Sequence, residues 1–253
     1  MTRKLEIVHF NETGDRRVTT PVARAGGVPL ARREAVWQPS RHPAERSVTT
    51  LWWAATTGRL VGCRSLDRLT MAMVLDFNPA VVELQAWSAQ LRWQEKGRAR
   101  TLVPDFFVRT AQGATVVVSC PPTAGPSQRW ARQVEVLKEA CAEAGWQMGT
   151  PRLPTAMALA NLRWVARYRH PRCHDPAVAR SLRAVFAQPR PLAEGVRATG
   201  LPKLSTLPRL YHLLWRRELG IDWSRALGPA SVVSAVRGQE PLALRRPLEV
   251  EQA

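Results

Sequence analysis

The stretch that decides the fold is Leu102-Val-Pro-Asp105-Phe-Phe-Val-Arg109-Thr-Ala-Gln-Gly113-Ala-Thr115-Val-Val-Val-Ser-Cys120. Leu102 to Arg109 and Thr115 to Cys120 are β-prone runs on either side of the turn signal Gln112-Gly113, so they are expected to pair as neighbouring strands. This hairpin puts one carboxylate, Asp105, near the head of its first strand. Side chains two apart on a strand share a face, so Val118 and Cys120 point to the same side of the second.

The neighbouring segments supply the rest of a sheet and the helices that cover it. Leu66, Leu69, Thr70, Met73 and Val74 recur at helical spacing before Asn78-Pro79 stops the pattern. Val81 to Leu84 and Gln90 to Trp93 read as further strands. Ser127 is a suitable cap for a helix whose Trp130, Val134, Leu137, Cys141 and Ala144 form one stripe, closed by Gly145, and Trp146 to Met148 reads as a short returning strand. A strand, a helix of this length and another strand make a crossover that lays a helix on the sheet. Val48 to Val61 has the composition of a hairpin around Thr57-Gly58. Residues 48–153 are therefore expected to form an α/β domain with a mixed sheet flanked by helices.

On the N-terminal side, residues 1–47 are polar and Arg-rich, are broken by Gly26, Gly27, Pro29, Pro39 and Pro43, and show no sustained period. They read as a loosely ordered arm. Beyond Pro151 and Pro154 the character changes to Leu-, Ala- and Arg-rich helices separated by prolines, giving a helical domain over 154–238. The residues from 239 to 253 read as a flexible tail.

Charge narrows the class of partner. The 253 residues carry 37 Lys and Arg against 20 Asp and Glu, a formal net charge of +17, which points to a polyanion and most simply to nucleic acid. The excess is concentrated in the second half, where Ala160 to Arg217 holds 12 cations and 2 acids. No apolar run has the length of a membrane span, and Met1 to Asn11 lacks the apolar core of a signal peptide, so a cytoplasmic protein with no membrane partner is expected. Cys63, Cys120, Cys141 and Cys173 form no Cys-x-x-Cys pair and read as reduced thiols. His170, Cys173 and His174 lack a fourth ligand at a zinc-site spacing, so that cluster reads as a basic helix end instead.

Taken in order, GRLVGCRSLDR, VLDFNPAVVELQ, VPDFFVRTAQGATVVVS and ANLRWVARYRHPR resemble the TnsA-type endonuclease subunits of heteromeric transposases, over about residues 48–172. That resemblance implies a restriction-endonuclease-like fold of the PD-(D/E)xK type. It also implies a subunit that severs the 5′ strands at transposon ends with Mg²⁺ or Mn²⁺, beside a DDE-type partner transposase. In such nucleases an Asp at the start of one strand and an acid-x-Lys on the next meet at a metal: the acids hold the ion and the Lys orients the attacking water.

Residue by residue, the resemblance is uneven. Asp105 matches the metal-binding Asp. The acid expected on the first helix is replaced by Arg68, with Asp67 as a possible substitute and Asp76 close by. The acid and the Lys of the strand are replaced by Val118 and Cys120, and Trp87 stands where a Gln is common. A nuclease fold with a failing or absent nuclease is the expectation, since charge neutralisation at the phosphate is most of what such a site supplies.

In the basic half, Ser205 or Thr206 is a plausible cap for a helix that tolerates Pro208 in its first turn and runs to Leu219-Gly220. Leu207, Leu210, Tyr211, Leu214 and Trp215 form its apolar stripe, and Arg209, His212 and Arg216 share another side. With Leu192 to Ala198 before it and a small two-stranded wing over Ile221 to Val236, the segment has winged-helix proportions, as the family resemblance also implies. The expected double-stranded DNA contacts are Lys203, Arg209, His212 and Arg216, together with Arg163 and Arg167. Two readings stay open: a TnsA-like subunit bound to transposon ends, and a non-catalytic DNA-binding or regulatory protein on a pseudo-nuclease scaffold.

Overall fold

The computed structural model describes residues 3–39, 48–122, 125–236 and 250–251. The chain is mixed α/β and divides into two units, Met1–Arg152 with Leu248–Ala253, and Leu153–Pro247.

The first unit opens with β1 (Glu6–Phe10) and β2 (Arg17–Pro21), joined by a turn in which the Asn11 side chain accepts from the Arg16 amide. Next come β3 (Thr50–Ala54), β4 (Arg59–Cys63) and α1 (Leu66–Phe77). The strands β5 (Val81–Ala86), β6 (Ala89–Glu95), β7 (Arg98–Leu102), β8 (Phe106–Thr110) and β9 (Thr115–Val118) follow, then α2 (Gln128–Ala144) and β10 (Gln147–Gly149). These strands form more than one sheet. β2-β1-β6-β7 is antiparallel, β3 pairs only with β4, and β5-β8-β9-β10 is mixed, with β10 parallel to β9 after the α2 crossover.

Two expectations need correction here. The described part of residues 1–47, residues 3–39, is not a loose arm, because β1 pairs with both β2 and β6. In addition Leu5, Ile7, Val22, Ala25, Leu30 and Ala31 are buried in one core with Phe107, Val117 and the α2 residues Val134, Leu137 and Cys141. The pairing of β1 with β6 spans some eighty residues, so no local period announces it. Residues 1, 2 and 40–47 of that segment lie outside the described residues. The strand read over Leu102 to Arg109 is in fact the end of β7 and most of β8, which belong to different sheets, and the turn between them carries Asp105.

α1 starts as its sequence requires, with the Ser65 hydroxyl accepting from the Arg68 amide at 3.3 Å. Its apolar stripe is not the expected one. Leu66 is 58% exposed, whereas Met71 to Phe77 is buried on every side. Asp76 is part of that buried end. Its carboxylate accepts from the Trp52 indole at 2.9 Å, the Ala55 amide at 2.9 Å and the Thr56 amide at 2.8 Å, and so ties the β3–β4 turn to α1. α2 ends on Gly145 in the left-handed region (φ 69°), as its sequence predicts.

The second unit begins with α3 (Ala156–Val165), capped by Thr155, and α4 (Pro176–Val185), capped by Asp175 with Pro176 in its first turn. β11 (Arg190–Pro191), α5 (Leu192–Ala198), α6 (Lys203–Trp215), β12 (Leu219–Gly220) and β13 (Val232–Ala235) follow, with strand order β11-β13-β12. The buried Asn161 side chain donates to the carbonyls of Trp223 (3.1 Å) and Arg225 (2.7 Å) and accepts from the Leu227 amide (3.0 Å), which pins the β12–β13 loop onto α3.

α6 starts at Lys203 after Pro202, earlier than the expected Ser205 or Thr206 cap, and ends at Trp215 rather than Leu219. Pro208 therefore lies inside it. The hydrogen bond it forgoes would have run to the carbonyl of Leu204, a residue 90% exposed to solvent. Back in the first unit, β14 (Val250–Glu251) pairs antiparallel with β10, so the span read as a flexible tail contributes a strand there, and the remainder of that tail lies outside the described residues.

The close approach of Trp87 to β4 makes a specific prediction. Trp87 adopts a left-handed backbone (φ 57°), and a Cβ on Gly62 would lie 2.2 Å from its ring. Gly62→Ala is expected to destabilise the chain by about 1–3 kcal/mol through overpacking, measured by urea unfolding. A wild-type midpoint would overturn this account of the glycine.

Candidate functional site

Asp105 lies between β7 and β8, and its own amide donates to the Val118 carbonyl at 3.1 Å, which fastens the turn to the end of β9. Its carboxylate is 6% exposed as a residue and is satisfied from three directions. The Cys120 amide donates to Oδ2 at 2.8 Å. Arg68 Nε lies 3.3 Å from Oδ1, and Arg64 Nε lies 3.2 Å from the same oxygen as an ion pair without hydrogen-bond alignment.

Both arginines are built into the backbone around this carboxylate. Arg68, on the first turn of α1, donates Nη2 to the Cys120 carbonyl at 2.7 Å and Nη1 to the Pro121 carbonyl at 3.1 Å. Arg64, in the turn before the Ser65 cap, donates Nη2 to the Val103 carbonyl at 3.2 Å, and its guanidinium stacks over Trp37 at 5.2 Å. Trp37 in turn meets Trp87 edge-on at 5.3 Å. Beside these groups is a cavity of about 230 Å³, whose lining includes Arg64, Arg68, Asp105, Ser119 and Cys120.

The expected site residues are thus partly brought together. Asp105, Arg68 and Cys120 meet. Val118 is fully buried, opposite Phe106 in the ladder, and reaches Asp105 only through its backbone carbonyl. Asp67 is exposed and does not line the cavity, and Asp76 is committed to the β3–β4 turn. Arg64 escaped the sequence reading, although its spacing of four from Arg68 puts both at the start of α1.

These donors do not suit Mg²⁺ or Mn²⁺. A hard divalent cation wants several carboxylate or carbonyl oxygens, whereas here one carboxylate faces two guanidinium cations, a backbone amide and a thiol. Burial, and secondarily the Asp105 charge, push the Cys120 thiol well up, and the same causes raise Cys63 to about 12, so both stay neutral. Among the described residues no group of three His, Cys, Asp or Glu is placed to hold a metal. What the site can do is attract an anion, since two arginines outweigh one aspartate.

In the second unit, Lys203 and Arg216 are exposed at opposite ends of α6, and Arg216 shares Glu218 with Arg183. Arg209 is half-buried. Arg163 and Arg167 are exposed, with Arg167 stacked over Trp164 at 4.8 Å. Trp164 meets Tyr211 at 6.1 Å and Tyr211 meets Tyr168 at 4.9 Å, an aromatic ladder that joins α3 and the turn after it to α6.

His212 is the exception. It is 4% exposed and its Nδ1 lies 2.7 Å from the Tyr168 carbonyl, so it is not available to DNA. Spacing placed it with Arg209 and Arg216, but α6 is packed by α3, α4 and α5 over more of its circumference than one stripe. A carbonyl only accepts, so Nδ1 carries the proton, and burial lowers the His212 pKa.

Compared with family models and with curated proteins, the chain matches none.

Two outcomes follow from this geometry. Asp105→Ala leaves two part-buried arginines without their anion and is expected to cost about 3–5 kcal/mol of stability, again by urea unfolding; a change within error would show that the cluster is not a stabilising one. His212 is neutral in the fold and protonates more readily once unfolded, so its contribution to stability is full above its ordinary pKa and shrinks as pH falls through that value towards the lowered one. The decline in thermal stability below pH 6.5 should flatten in His212→Gln, and an unchanged slope would count against it.

Proposed function

We propose that the chain is a TnsA-like subunit that binds double-stranded DNA at transposon ends, beside a DDE-type partner transposase in the cytoplasm, and does not itself cut. The observation that carries this reading is the Arg68 guanidinium, which spends its Nε on Asp105 and its two terminal nitrogens on the carbonyls of Cys120 and Pro121.

Several features support a nuclease ancestry. α1 precedes the β5-β8-β9 antiparallel run, α2 crosses over to a parallel β10, and Asp105 opens β8 beside the end of β9. That is the placement a restriction-endonuclease-like PD-(D/E)xK core needs for an Asp and the acid of the next strand. The chemistry has been rewritten around it. A cutting site needs a positioned water, a group to take its proton and cations on the phosphate. Both oxygens of Asp105 are already held by Arg64, Arg68 and the Cys120 amide, and the nearby thiols are kept neutral by burial. The residual positive charge attracts a phosphate without the means to hydrolyse it.

The second unit supports DNA binding on separate grounds. Its order α4-β11-α5-α6-β12-β13 supports a winged-helix reading, in which α6 would be the reading helix and the β12–β13 hairpin the wing. Lys203 and Arg216 on α6, together with Arg163 and Arg167, are the phosphate contacts.

Gel-shift titration with duplex DNA tests the reading. Affinity is expected to fall steeply with salt, and Lys203→Ala with Arg216→Ala to lower the slope of log K against log salt by about 2, roughly 0.9 per lost phosphate contact. No nicking is expected with Mg²⁺ or Mn²⁺. A flat salt response would sink the DNA reading, and metal-dependent nicking abolished by Asp105→Ala would sink the non-cutting one.

A further inference from the structure

A second basic surface belongs to the first unit. The β6–β7 hairpin and the start of α2 enclose a groove of about 1090 Å³ lined by Arg3, Lys96, Arg100, Arg129 and Arg132 against only Glu95 and Glu135. The two acids are not equivalent. Glu95 is held by Arg3 (3.9 Å) and Arg100 (3.4 Å), and Arg3 is further engaged by Glu139. Lys96, Arg129 and Arg132 are exposed and make no ion pair among the described residues, so three cations face the groove against the one unpaired carboxylate of Glu135.

Its shape and lining add to the charge. Lys96 and Gly97 are both left-handed (φ 50° and 73°), which makes a tight two-residue turn and presents Lys96 at the hairpin tip. Trp93 lies in the groove wall, half-buried, with its indole N–H unpartnered. α2 opens into the groove with no acid in its first turn. Thr101 and Gln133 line both this groove and the Asp105 cavity, so the two are adjacent.

We propose that this groove holds a single nucleic-acid strand, with its phosphates on Lys96, Arg129 and Arg132 and a base against Trp93. A positively charged trench with an aromatic wall is how proteins hold unpaired strands, since every base offers a face for stacking. The size suits a single strand better than a duplex. The volume is close to that of a pocket for one drug-sized molecule, ~300–1,000 Å³, which accommodates a few nucleotides of one strand and not the girth of a double helix. A strand lying here runs towards Arg64 and Arg68, whose excess charge would receive its next phosphate. The assignment rests on the groove alone and stands whether or not the second unit reads duplex DNA.

Fluorescence anisotropy with the full chain separates the two sites, using a short labelled oligo(dT), an oligo(U) of equal length and a duplex. Arg129→Ala with Arg132→Ala is expected to weaken oligo(dT) binding at least about tenfold and to lower its salt slope by about 1.4, at roughly 0.7 per phosphate for single strands, with duplex binding retained. Lys203→Ala with Arg216→Ala should do the reverse. Both groove arginines are exposed, so the double variant keeps its fold, which circular dichroism checks. Comparing oligo(dT) with oligo(U) shows whether the strand is DNA or RNA. Unchanged oligonucleotide affinity in the groove variant, equal losses for oligonucleotide and duplex, or no oligonucleotide binding at low salt would each overturn the proposal. Failure of duplex binding alone would instead strike the reading of the second unit.

Discussion

A buried carboxylate has to be neutralised, and much of the first unit is arranged around doing so for Asp105. One oxygen is held by a backbone amide and the other by two arginines, from the turn before α1 and from its first turn. The same guanidinium groups bond the carbonyls of Val103, Cys120 and Pro121, so they also satisfy the peptide groups where β7, β8 and β9 come apart. Low local polarity strengthens such a network and makes its partial loss costly. The arginines thus supply the positive charge that balances the carboxylate, and the cluster acts as a structural clamp with a residual attraction for anions.

The constraint extends outwards through the aromatic groups. Trp37 carries Arg64 on its face and packs against Trp87, whose ring lies over Gly62. Trp37 comes from the N-terminal segment, so that segment takes part in the site as well as in the core through Leu5, Ile7 and Leu30. In the second unit exposed cations stand on helices packed through Trp164, Tyr168 and Tyr211; in the first they stand around a groove that opens next to Asp105.

The elements were largely legible from the sequence where they depend on neighbours in the chain. The Ser127 cap, the Gly145 stop and the runs that became β5, β8 and β9 are local features, and local rules find them. The N-terminal strands were not legible: β1 is only five residues long and its second partner is β6, far along the chain. β7 (RARTL) is charged and mostly exposed, so it shows no alternation. His212 was misplaced because a single helix period assumes one buried side, and α6 is covered on several.

The sequence by itself determined that a carboxylate precedes a β-prone run, that a turn signal brings a second such run back beside it, and that the chain carries a large positive excess weighted to its second half. Those are statements about residue type and order. Only the tertiary structure decided what surrounds that carboxylate. Arg68 and Asp105 are 37 positions apart, and Arg64 is farther still from its carboxylate, so their meeting depends on how α1 is laid across the ends of two strands. The same holds for the groove, whose walls come from the chain start, one hairpin and one helix. Periodicity and propensity act over a few residues, whereas electrostatic partnership acts through space, and only the folded chain defines that distance.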